Sequence, residues 1–164
     1  MRYRSFEFRS AEVILNANYR LKKEIDHILT TLELEPPTAR GAHIISQAHR
    51  QIQRAFEQQG WQTEVLVTQR TAKRHHFDLY KDRVGIEIEI SNRELLYRDY
   101  MRFHLSAADG RLDVGVIVLL DEEMRFPYLH PPRNGAPCLD DVVDDLNSLR
   151  HVIDVPIWVV SLFE

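Results

Sequence analysis

Residues 76–91, HFDLYKDRVGIEIEIS, decide how this chain is read. Side chains alternate along a strand, so Val84, Ile86, Ile88 and Ile90 share one face and must meet a core, while Gly85, Glu87, Glu89 and Ser91 take the other. A symmetric hairpin turn of two or four residues within YKDRVG makes cross-strand partners sum to 165, which sets Asp78 directly opposite Glu87. Phe77 and Leu79 then join the isoleucines on the buried face, which favours this register over a one-residue slip. Directly opposed residues have Cβ atoms about 4.5–5.5 Å apart, and opposed like charges destabilise a hairpin. Something must compensate for the acids.

A plain reading makes Asp78, Glu87 and Glu89 the water-facing stripe of an amphipathic strand. Against it, Asp and Glu form strands poorly, three of them converge, and Gly85 leaves room beside them. Converging hard oxygens with open positions for water and a phosphate describe a magnesium site. Two carboxylates also suit a glycosidase, but those flank a sugar at several ångströms, and neighbouring strand partners stand too close.

Outward from this hairpin, the pattern is mixed. A first helix is expected from about Ser10 to Leu34, with Val13, Ile14, Ala17, Leu21, Ile25, Ile28, Leu29 and Leu32 at three- and four-residue steps, and EPPTARG ends it. A second runs from about Ala42 to Gln59, stopped by Gly60. WQTEVLVT alternates as a half-exposed strand. Ser91 with Glu94 reads as a capping box opening a helix whose stripe is Leu96, Tyr100, Phe103 and Ala107, closed at Asp109–Gly110. LDVGVIVLL is a nearly continuous apolar run, a central strand covered on both faces. Residues 121–136 read as a loop, 137–151 as a helix and PIWVVSLF as a last buried strand. The expected fold is α/β: one domain over residues 1–164, a mixed sheet of about five strands flanked by helices, with residues 1–40 a helical region and 41–164 the core.

Composition bounds the rest. A chain of 164 residues, 44% hydrophobic and 28% charged, suits one ordinary globular domain. No apolar stretch reaches the roughly 18 residues of a membrane span, and MRYRSFEFRS lacks the core of a secretory signal, so a cytoplasmic location without membrane contact is expected. Cys138 stands alone, which excludes an internal disulfide and reads as an inert small residue. The net charge of −4 hides an asymmetry: residues 121–164 carry nine acids against three Arg, and the remainder eighteen Lys or Arg against sixteen acids. The basic part includes TQRTAKRHH, where Arg70, Lys73 and Arg74 make either a solvated loop or a phosphate contact. Asp113, at the head of the central strand, reads as a structural partner.

DLYKDRVGIEIE, followed by a capped helix and LDVGVIVLL, resembles the catalytic core of the PD-(D/E)XK nucleases, and more closely the BglII and BstYI type of type II restriction endonuclease. The resemblance runs from about Phe77 to Leu120, extends to FEQQGWQTE and VPIWVVSLF, and is not traceable before about residue 40. It implies Asp78, Glu87 and the backbone carbonyl of Ile88 as magnesium ligands. Glu89, where the wider superfamily has Lys, is similar to the BamHI arrangement; it would orient the attacking water, accept its proton or help bind a second ion. The implied reaction is hydrolysis of a phosphodiester in double-stranded DNA by a homodimer, the first helix being a candidate interface. Arg70, Lys73, Arg74 and His76 before the hairpin, and Arg93 and Arg98 after it, are the candidate phosphate contacts. Glu57 is a candidate extra acid, and His130, Arg133 and Asn134 candidate base readers. A nuclease of low or structure-based specificity, and an inactive DNA-binding module on the same fold, are the rival readings.

Overall fold

The structure, a computed structural model, describes residues 1–35, 43–69, 75–122, 124 and 135–164. In chain order the elements are β1 (Arg2–Phe8), α1 (Ala11–Ala17), α2 (Tyr19–Thr31), α3 (His43–Glu57), β2 (Gln62–Leu66), β3 (His76–Lys81), β4 (Val84–Ile88), α4 (Glu94–Ala108), β5 (Val114–Leu120), α5 (Leu139–Ser148) and β6 (Ile157–Phe163). The strands form one six-stranded sheet in the order β1-β6-β5-β4-β3-β2. Its centre, β4, β5 and β6, is parallel; β1 closes one edge and the β3–β2 pair the other, all antiparallel. Even-numbered β5 residues Val116, Val118 and Leu120 face α2 and α3, and odd-numbered Ile117 and Leu119 face α4 and α5. Every residue of β5 is buried, as its unbroken apolar run predicts.

The expected sheet lacked β1, and the N-terminal region is not purely helical. RYRSFEF carries Arg2, Arg4 and Glu7 on a strand whose edge lies open to water, so it shows no apolar run. Its fit shows only against β6: Tyr3 sits edge-on to Trp158, while Phe6 and Phe8 meet the opposite core. The single first helix is likewise two. Asn18 leaves helical geometry at φ −100°, ψ 67°, which lets α1 bury Ala11 and Leu15 while α2 buries Leu21, Ile25, Ile28 and Leu29. One continuous stripe through Val13 and Ile14 is therefore not what packs; those two are 64% and 38% exposed.

The hairpin has the expected register. Lys81, Tyr80 and Leu79 face Val84, Gly85 and Ile86 across a two-residue turn, whose Asp82 and Arg83 both adopt positive φ, 47° and 66°. Arg83 anchors the turn with a forked pair to Asp113, at 2.6 and 2.7 Å, the structural role expected of Asp113. Beyond Leu79 the ladder stops. Phe77 does not join the isoleucines: it stacks on Phe103 on the other face of the sheet, at 5.8 Å between ring centroids. A Cβ on Gly85 would stand 3.1 Å from the Phe77 ring and 3.0 Å from Leu112, so the room Gly85 leaves is filled by those side chains. Asp78 lies at this crossover, where β3 leaves β4.

Candidate active site

Burial overturns the water-facing reading of the acids. Glu87 and Glu89 are 2% and 5% exposed, and every residue from Val84 to Ile90 is buried, because β4 runs between β3 and β5 with α4 laid over its second face. A buried carboxylate needs partners, and each acid has its own. Asp78 Oδ2 accepts from the Ile88 backbone N–H at 2.9 Å and lies 3.1 Å from His49 Nε2 on α3. Arg102 on α4 donates to Glu87 Oε1 at 3.0 Å and to Asp99 Oδ1 at 3.1 Å. Glu89 Oε1 accepts from Ser91 N, Ser91 Oγ and Asn92 N, each at 3.0 Å.

The three acids therefore do not meet at one point; repulsion between like charges is relieved by sending each to separate donors. Among the described residues, no three His, Cys, Asp or Glu side chains converge closely enough to hold a metal ion by themselves. They nevertheless share one electrostatic neighbourhood. Burial, then the charges of Asp99 and Asp78, push Glu87 well above the usual carboxylate range, against the pull of Arg102. Asp99, 1% exposed, is pushed up by burial to about 7, with Arg102 and Arg98 pulling down and Glu89 and Asp78 pushing up. Burial also pushes Asp78 up, but the hydrogen bond and charge of His49, the Ile88 N–H and Arg102 together hold it below its ordinary value. Neighbouring carboxylates with pKa values driven apart are a mark of acid–base or metal chemistry.

The donor set fits a hard divalent cation. Asp78 Oδ1, Glu87 Oε2 and Glu89 Oε2, hard oxygen donors, have no hydrogen-bond partner among the described residues. Arg102 pairs with Glu87 and Asp99, and Arg98 with Asp99, while the charges of Asp78 and Glu89 also act on Asp99, an excess of negative charge that a cation relieves.

The candidate phosphate contacts are scattered. Arg70, Lys73 and Arg74 lie outside the described residues, as do His130, Arg133 and Asn134. His76 Nδ1 is 3.6 Å from Glu64. Arg93 is held by Asp141 at 2.7 Å and Asp145 at 3.0 Å, tying the start of α4 to α5. Arg98, half exposed, lies 3.4 Å from Asp99. The Ser91–Glu94 capping box does not form: the Glu89 side chain takes the Ser91 N–H, and Asn92 Oδ1 accepts from Glu94 N instead. Glu57, at the C-terminal end of α3, is exposed; the residue that α3 supplies to the site is His49. His49, Asp99 and Arg102 were not singled out from the sequence. Asp99 left a signal, since it stands three residues after Leu96 and four before Phe103, on the apolar stripe of α4.

Comparison with known proteins agrees with this architecture. The family described as restriction endonuclease BglII/BglIII matches residues 3–162. A crystal structure of restriction endonuclease BglII complexed with a DNA 16-mer aligns at TM-score 0.77 and 22% identity, over 100% of this chain and 77% of that one. Free BglII aligns at TM-score 0.68 and 21% identity, over 100% of this chain and 80% of that one. No curated protein matches the sequence. The family match extends well upstream of residue 40, so it covers the N-terminal strand and helices that the sequence resemblance did not reach. Spanning nearly the whole chain, and joined by a shared fold, it shows that this protein belongs to the restriction endonuclease BglII/BglIII family, whose enzyme class, type II site-specific deoxyribonuclease, it shares.

Proposed function

We propose that the chain hydrolyses phosphodiester bonds of double-stranded DNA using a magnesium ion held by Asp78, Glu87 and the carbonyl of Ile88, and that it acts as a homodimer with one such site per subunit. The observation that carries this reading is the charge imbalance around Glu87, a carboxylate 2% exposed that faces Asp78 and Asp99 with Arg102 as its hydrogen-bonded cation. Bound there, a divalent cation supplies Lewis acidity toward the scissile phosphate and lowers the pKa of water. The residues do the rest. Asp78, with Oδ2 engaged, presents Oδ1; Glu87, with Oε1 on Arg102, presents Oε2; and Glu89, pinned by the Ser91–Asn92 turn, keeps Oε2 to orient a water or take its proton. The proximity of Arg102 and Arg98 adds positive charge beside a phosphate that would otherwise meet a wall of acids. Exposed apolar side chains, Val13 and Ile14 on α1 and Tyr97, Met101 and Leu105 spaced four apart on α4, are the material that a subunit interface would bury.

Incubation with plasmid and magnesium, repeated with chelator and with Glu87→Gln, tests the proposal. Cleavage is expected with magnesium, to be lost with chelator and to fall at least about a hundredfold in the variant. Cleavage that survives chelation sinks the metal assignment. Bound but uncut DNA under every condition favours the inactive binding module. Sequencing the ends of cut fragments separates a site-specific enzyme from one of low specificity.

A further inference from the structure

We propose that His49 is a positioning residue for the cation site: it donates from Nε2 to Asp78 Oδ2, beside the Ile88 N–H, and so turns Asp78 Oδ1 toward the ion. This rests on the assignment of Asp78 as a ligand. Asp78 stands where the β3–β4 ladder has ended, the last paired residues being Leu79 and Ile86, so strand pairing does not hold its carboxylate. Two donors from different elements do, at 3.1 Å from α3 and 2.9 Å from β4, and both act on the same oxygen. Among the described residues, Oδ1 is left without a hydrogen bond.

The helix that carries His49 is packed on its other face. Ala48, Ile52 and Phe56 on α3 are 0% exposed and packed into the core beneath the sheet. The Ile88 N–H belongs to the residue whose carbonyl is the proposed third ligand, so one peptide segment both offers an oxygen and orients the neighbouring carboxylate. A ligand carboxylate whose far oxygen is held by donors loses less freedom on binding an ion, and removing such a donor typically weakens metal affinity 10- to 100-fold.

Two substitutions separate this role from packing. His49→Phe keeps the ring and removes the donor; His49→Gln removes the ring and keeps a donor. Affinity for manganese, measured by titration calorimetry or electron paramagnetic resonance on the full chain, is expected to fall about tenfold or more in His49→Phe and to return to within about threefold of the parent in His49→Gln. His49→Ala takes the place of Phe should the ring not be accommodated, with circular dichroism confirming the fold. Asp78→Asn is the reference and should abolish tight binding. If Asp78→Asn loses manganese while the donor-free variant binds it as tightly as the parent, the role of His49 is overturned and the ligand assignment stands. If Asp78→Asn binds as the parent does, the ligand assignment itself falls. Equal weakening by Gln and Phe also overturns the donor role.

Discussion

Replacing Asp99 by Asn should stabilise the metal-free protein at alkaline pH and leave it unchanged in acid. Asp99 is 1% exposed, and burial, with Glu89 and Asp78 nearby, raises its carboxyl from 3.8 to about 7 in spite of Arg102 and Arg98. A carboxyl raised on folding binds a proton more tightly in the native state than in the unfolded one. Stability therefore falls as pH climbs from about 4 to about 7, and the whole penalty is present above that window. A shift of about three units at about 1.4 kcal/mol each sets a ceiling of roughly 4 kcal/mol. That is a large share of the 5–15 kcal/mol typical of a domain. Asn keeps the shape and the oxygen that accepts from Arg102 at 3.1 Å, and removes the titration. Glu87 keeps its own penalty, so the gain at pH 8 should fall between about 1 and 4 kcal/mol. With a urea m-value of about 2 kcal/mol/M, that displaces the midpoint upward by roughly half to two molar. Urea unfolding below pH 4 and at pH 8, in chelator, reads it directly. A midpoint lowered by the same amount at both pH values would show that Asp99 serves as an ionised structural partner of Arg102, and would refute the account of a strained acidic cluster.

Two packing predictions rest on equally local geometry. A Cβ on Gly115 would lie 2.7 Å from ring atoms of Phe103, at the point where α4 crosses β5, so Gly115→Ala should cost about 1–3 kcal/mol in urea unfolding; a cost near zero would mean α4 can lift freely. Cys138 caps α5, its Sγ accepting from Asp141 N at 3.4 Å while its own N–H reaches the Asp141 side chain at 3.2 Å. Cys138→Ser should preserve stability and Cys138→Ala should lose about 0.5–1 kcal/mol; equal effects in thermal unfolding would argue that the sulfur is packing and not capping.

That cap illustrates where sequence reading stops. Read alone, Cys138 is a small inert residue, because thiols seldom stand in for Ser or Thr at a helix start; its role follows from Asp141 reaching back. The hairpin register, by contrast, was legible, since a two-residue turn and the alternation of Val84, Ile86, Ile88 and Ile90 are set within a dozen residues. The same holds for β5 and for the stripe Leu96, Tyr100 and Phe103. Strand β1 was not legible, because an edge strand flanked by water carries charges and is defined by its partner β6, some 155 residues away. Nor was the break at Asn18, where two sheet-facing surfaces out of phase outweigh the continuity of one helix.

The local pattern of this chain settled which acids share the β3–β4 hairpin and that they interrupt an apolar strand. Distant segments settled what each acid meets: His49 from 29 residues before Asp78, and Arg102 from 15 residues after Glu87. Periodicity is a property of neighbouring residues and can be read off the chain. The field around a buried carboxylate is a sum over whatever packing brings within a few ångströms in a medium of low dielectric, and it exists only once the helices have closed over the sheet.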